Sequence, residues 1–143
     1  MRIIGLDLGT KTLGVAVSDN TETISTGLTT LRFDEDKPEM IINDLKEIID
    51  YYNAGLIVIG LPKNMNNTLG DAVIRTREFI KILNNNFDIK VVEQDERLSS
   101  VSANNLLISA DVSRKKRKKK VDAVAATIIL QSYLDKRKGE KNE

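Results

Sequence analysis

Apolar residues fall in two short runs at the start of the chain, 2–8 and 13–18, separated by Gly9-Thr10-Lys11-Thr12. Such runs around a tight turn predict two strands, and residues 22–30 could add a third antiparallel strand, giving an opening meander. The period then changes. Pro38 and the stripe Ile41, Leu45, Ile48, Ile49 and Tyr52 predict an amphipathic helix over about 37–53, with Gly55 just past its expected stop. Leu56 to Leu61 is an almost unbroken apolar run, the mark of a central strand covered on both faces, and Pro62 ends it. Ala72, Thr76, Phe79, Ile80 and Leu83 predict a second helix, Ile89 to Val92 a short strand, and residues 99–109 a weaker helix. Val124, Ala125, Ile128 and Ile129 predict a final helix from Val121 to about Leu134. Strands alternating with helices in this way predict an α/β sheet.

At 143 residues, 41% hydrophobic and 30% charged, the chain suits one soluble domain with one core, expected over residues 1–137 with a disordered polar tail at 138–143. Cysteine and histidine are both absent. Disulfides, thiolate zinc sites, cysteine nucleophiles, serine-histidine catalysis and histidine ligation are therefore excluded, leaving hard-metal chemistry on oxygen ligands as the natural remaining option. The first apolar run reaches a carboxylate at Asp7, too soon for a signal-peptide core or a membrane span, so a cytoplasmic location is expected. A net charge of +1 conceals polarity: residues 111–143 carry eleven Lys/Arg against five Asp/Glu, a net of +6, and residues 1–110 carry −5.

Acids stand out at three places. Asp7 interrupts an apolar strand, where a buried carboxylate costs several kcal/mol unless a cation or donors compensate it; capping of the following turn accounts for it equally well. Asp95-Glu96-Arg97 emerges at a strand end, where α/β folds place their sites, although two acids beside an arginine also make an ordinary surface ion-pair cluster. Asp122 begins the last helix, where an acid favours the helix dipole by about 0.3–1 kcal/mol. The dipole does not explain the small residues that follow, Ala123, Ala125 and Ala126, which would let the helix approach a strand closely.

Ile4-Gly5-Leu6-Asp7-Leu8-Gly9-Thr10-Lys11 through Gly14-Val15-Ala16-Val17-Ser18-Asp19, then Gly60-Leu61-Pro62, Asp95-Glu96-Arg97-Leu98-Ser99 and Lys119-Lys120-Val121-Asp122-Ala123-Val124-Ala125-Ala126 together resemble the YqgF/RuvX family over nearly the whole chain. The resemblance implies an RNase H-like α/β fold, a five-stranded mixed sheet with helices on both faces, similar to the RuvC Holliday-junction resolvases. It also implies a pre-16S ribosomal RNA nuclease, with Asp7, Glu96 and Asp122 as the catalytic, metal-binding acids. RuvC-type enzymes carry an acid at the end of the central fourth strand; here that strand ends in Gly60-Leu61-Pro62-Lys63-Asn64, so Glu96 must substitute from a neighbouring strand, with Asp95 as its competitor. The implied cofactor is magnesium, with manganese as a substitute. Two such ions about 3.5–4 Å apart can share activation of water and stabilisation of the leaving oxygen, and no histidine is needed.

Cations then acquire a meaning. Lys11 in the first turn and Lys63 and Asn64 before a helix could receive backbone phosphates, or could sit in plain turns. Arg97 could hold the scissile phosphate or pair with Asp95. The run Arg114, Lys115, Lys116, Arg117, Lys118, Lys119, Lys120 repels itself and is expected to stay extended unless a polyanion relieves it, which points to nucleic acid. Few aromatics argue for backbone and shape recognition over base stacking.

The expected partner is structured RNA, pre-16S rRNA, with branched DNA as the alternative and monomer or homodimer left open. A non-catalytic nucleic-acid-binding factor is a further reading. An ATP-binding protein of the actin, Hsp70 and sugar-kinase group would need two domains around the nucleotide, for which this chain is too short.

Overall fold

A computed structural model describes residues 1–35, 37–61, 70–95 and 114–141, with side chains for all of these except 95, 114–123 and 138–141. Strands β1 (Arg2–Leu8), β2 (Thr12–Ser18) and β3 (Ser25–Arg32) form the meander. A 3-10 turn at Pro38–Ile41 leads into α1 (Ile42–Tyr52), followed by β4 (Ala54–Leu61), α2 (Asp71–Asn86), β5 (Lys90–Asp95) and the long α3 (Arg114–Lys141). The sheet order is β3-β2-β1-β4-β5. β1 pairs antiparallel with β2 and parallel with β4, and β4 pairs parallel with β5, so the sheet is mixed and β1, β4 and β5 end at one common edge.

Strand alternation divides the core into two layers. Ile4, Leu6, Leu13, Val15, Ile57 and Ile59 pack on one face with Leu45 and Ile49 of α1 and Phe79 and Leu83 of α2. Ile3, Ala16, Leu56 and Val58 pack on the other with Ala126, Ile129, Leu130 and Leu134 of α3. Helices therefore cover both faces, as expected, and the apolar run in β4 reflects its burial from both sides.

Several boundaries differ from those the sequence predicts. β3 begins at Ser25 and ends at Arg32, displaced from 22–30, because residues 19–24 form a turn around Asp19. α1 ends where expected, at Asn53 in the left-handed conformation (φ 53°, ψ 48°), but its first expected turn, Pro38–Ile41, is 3-10 and the α-helix begins at Ile42. The run Arg114–Lys120, expected to be extended, is the first two turns of α3, and the helix continues past Leu134 to Lys141. Lys and Arg are good helix formers, and elongating a helix already held by its packed part needs no new nucleus. The weaker helix predicted at 99–109 lies outside the described residues.

Candidate active site at the carboxyl edge of the sheet

Asp7 sits one residue from the end of β1, half-buried. Its face follows from its neighbours: Ile3 belongs to the layer under α3, whereas Ile4 and Leu6 belong to the opposite layer, and Leu8 packs with them. Positions 3, 5 and 7 thus share the α3 side. At Gly5 the helix comes so close that an added Cβ would stand 2.7 Å from Leu130 Cβ and 3.1 Å from the Ala126 carbonyl oxygen. Gly5 and Ala126, fully buried, are what allow this approach.

Along β1 from Ile3 to Asp7, α3 runs the other way, from Leu134 back toward its N-terminus. Asp122 is one helical turn before Ala126 in the backbone of α3; its side chain is not among those described. Asp95 ends β5 opposite Leu61, at the same edge as Asp7 and two strands away, about 10 Å at the usual strand spacing. Gly60 and Leu61 of the intervening strand bring no acid to that edge. Glu96, Arg97, Lys63 and Asn64 lie outside the described residues. Of the acidic trio only Asp7 has a described side chain, and among the described residues no group of three acids is placed to hold a metal.

The turn after β1 is closed by the Gly9 N–H donating to the Thr12 carbonyl at 2.7 Å. That amide is therefore committed to the hairpin, and Lys11 within the same turn is exposed. The cations of Arg114–Lys120 extend the same helix that carries Asp122.

The far end of α3 is tied down. Gln131 accepts the Ser25 N–H at 2.9 Å and donates to the Thr23 carbonyl at 2.9 Å, and Arg137 donates to Glu22 at 2.7 Å. Between them these bonds lash α3 to the β2–β3 turn. Within that turn the Asp19 carboxyl accepts from the Thr21 hydroxyl and from the Thr23 and Ile24 amides, which hold its pKa down to about 2. Neither the packing role of Gly5 nor the anchoring role of Gln131 is spelled out by residue type and short spacing. A glycine amid strand residues signals close backbone approach; nothing marks the glutamine before its partners are known.

A five-stranded mixed sheet with an antiparallel meander, parallel β4 and β5 and a packed C-terminal helix defines an RNase H-like fold of the resolvase type. Thermus thermophilus RuvC in complex with a Holliday junction substrate matches with a TM-score of 0.60, 14% identity and 97% of each chain covered. The fowlpox virus Holliday junction resolvase matches with a TM-score of 0.60 and 18% identity over 96% of this chain and 99% of its own. Sequence similarity is more specific. The family described as "RuvX: Holliday junction resolvase" matches residues 1–136. A Geobacillus sp. (strain WCH70) protein named "Putative pre-16S rRNA nuclease" is 52% identical over 135 residues, 94% of this chain and 98% of the relative. A relative of the same name from Thermoanaerobacter pseudethanolicus is 47% identical over 141 residues, 98% of this chain and all of its own. The chain belongs to the RuvX family.

Proposed function

We propose that this protein is a metal-dependent nuclease that hydrolyses phosphodiester bonds in structured RNA, acting in 5′-end processing of pre-16S rRNA, with Asp7, Glu96 and Asp122 as its metal-binding acids. The observation that carries the proposal is the close contact of Gly5 with Ala126 and Leu130, which brings position 122 within one helical turn of the strand face that Asp7 occupies. The helix dipole expected from the sequence does not account for Asp122, because α3 begins at Arg114 and residue 122 lies two turns inside it.

For the second acid the motif resemblance supports Glu96, with Asp95, the last residue of β5, as its competitor.

The donor set suits magnesium, or manganese in its place: every candidate ligand is a hard carboxylate oxygen, and Asp7 is held half-buried on a rigid strand. When bound, such ions supply an acidified water and stabilise charge on the phosphate and leaving oxygens. The protein's own part is to fix Asp7 and Asp122 on two elements that meet closely at Gly5, and to offer cations to the flanking phosphates through Lys11, Lys63, Arg97 and Arg114 to Lys120, with Asn64 as a neutral hydrogen-bonding contact. The working location is the cytoplasm; among the described residues no helix is long and apolar enough to cross a membrane.

Cleavage of a ribosomal RNA precursor and of a four-way DNA junction, with and without magnesium, tests this reading. Wild type should cut the RNA, while Asp7→Asn and Asp122→Asn should each lose at least about 100-fold, the order expected when a group stabilising transition-state charge is removed. Cleavage of neither substrate, or undiminished cleavage by both variants, rejects it. Preferential cutting of the junction would favour the second reading, branched-DNA resolution, which the RuvC-like fold supports and which requires a symmetric homodimer. Binding without cleavage would leave a non-catalytic nucleic-acid-binding factor.

A further inference from the structure

Arg32 closes β3 and pairs across the sheet with Thr12 of β2. The neighbouring pair, Leu13 with Leu31, packs in the layer under α1 and α2. Arg32 and Thr12 therefore face the α3 side, as do Asp7, Gly14 and Thr30, which form the adjacent cross-strand row. Arg32 stands two strands across and one row beyond Asp7, about 12 Å away at ordinary strand spacing and rise. A guanidinium on a long side chain reaches roughly half of that.

The position is held rather than loose. Phe33, buried, anchors the residue after Arg32, and its N–H donates to the Lys11 carbonyl at 2.9 Å, tying the end of β3 to the first turn. Lys11 and Arg32 are both exposed, and neither forms an ion pair with a described carboxylate. Asp34 and Glu35 lie past Phe33, where the Asp34 carbonyl accepts the Lys37 N–H at 2.9 Å, and not in this row.

We infer that Arg32, with Lys11 beside it, binds a backbone phosphate of the nucleic acid one or two nucleotides from the scissile one, on the side of Asp7 toward β3. The inference rests on the nuclease reading for the location of the scissile phosphate. The recognised chemistry is the phosphodiester backbone common to RNA and DNA. A strand so held crosses the carboxyl edge of the sheet with Asp7 between the corner formed by the end of β3 and the β1–β2 turn and the basic N-terminal turns of α3.

Binding of a four-way DNA junction and of a structured RNA, measured in EDTA across a range of salt concentrations, tests Arg32 independently of catalysis. Arg32→Ala should reduce the slope of log K against log salt by about one for whichever nucleic acid is the ligand, whereas Arg32→Lys should keep it. Lys46→Ala, on an exposed turn of α1 across the sheet, serves as the control for diffuse charge and should leave the slope unchanged. With magnesium, Arg32→Ala should raise KM roughly 3- to 10-fold and leave kcat within about twofold, since the contact lies away from the reacting atoms. A wild-type slope in Arg32→Ala, an equal reduction in Lys46→Ala, or failure of the wild type to bind either nucleic acid overturns the inference. Wild type that binds but does not cut overturns the nuclease reading alone, and the slope still decides Arg32.

Discussion

Replacing Gly5 by alanine adds a methyl group that would stand 2.7 Å from Leu130 Cβ and 3.1 Å from the Ala126 carbonyl oxygen. Carbon atoms in contact prefer about 3.5–4.0 Å, so nearly 1 Å must be found. Leu130 Cβ is bonded directly to the backbone and cannot rotate away, and the Ala126 oxygen is backbone itself; α3 has to move off the sheet. Overpacking of this kind costs about 1–3 kcal/mol, against which alanine recovers roughly 0.5–1 kcal/mol of strand propensity over glycine. A net loss of about 1–2 kcal/mol in urea unfolding is expected, with an unchanged m-value. If position 122 works with Asp7, a displacement near 1 Å also lowers cleavage by up to about 100-fold under conditions where the variant is fully folded. Gly55→Ala is the comparison, because there the added Cβ meets the end of the exposed, flexible Met1 side chain, which can swing aside. Its stability should change by less than about 0.5 kcal/mol. If Gly5→Ala unfolds at the wild-type urea midpoint and cuts at the wild-type rate, the argument that close packing positions the site is wrong.

The other predictions concern the acids and the anchor of α3. Glu96→Gln should lower magnesium-dependent cleavage by at least about 100-fold while Asp95→Asn stays within severalfold of wild type; the reverse order in the same assay would make Asp95 the ligand instead. Gln131→Ala should cost about 1–2 kcal/mol in denaturant unfolding, because it strands the Ser25 amide and the Thr23 carbonyl. The lowered pKa of Asp19 implies stability that is present above its unfolded value of 3.8 and disappears as pH falls toward about 2. Unfolding followed from pH 5 to pH 2 should accordingly fall more steeply for wild type than for Asp19→Asn, and parallel curves would contradict the assignment.

The elements that could be read from the sequence are those whose pattern is forced locally. β1, β2 and β4 are apolar runs with clear stops, and α1 and α2 carry apolar stripes at helical period. β3 was displaced because its threonines are half exposed at a sheet edge and carry little alternation, and because the turn before it is built by the Asp19 side chain. Arg32 lies beyond the strand that this pattern predicts for the same reason. The start of α3 differs from the expected one because charge repulsion is visible in a sequence, whereas the packed helix that elongates into the basic run is not.

From the sequence alone came the order of elements, the exclusion of cysteine and histidine chemistry, and the acids worth considering, since each depends on residue type and short spacing. That α3 lies against the face of β1 to which Asp7 belongs was decided only by the tertiary structure. Gly5 meets Leu130 across 125 positions of chain, and Gln131 holds Ser25 across 106. Contacts at that separation exist only once the sheet has set its register and α3 has found the one line along which glycine and alanine let it lie against β1.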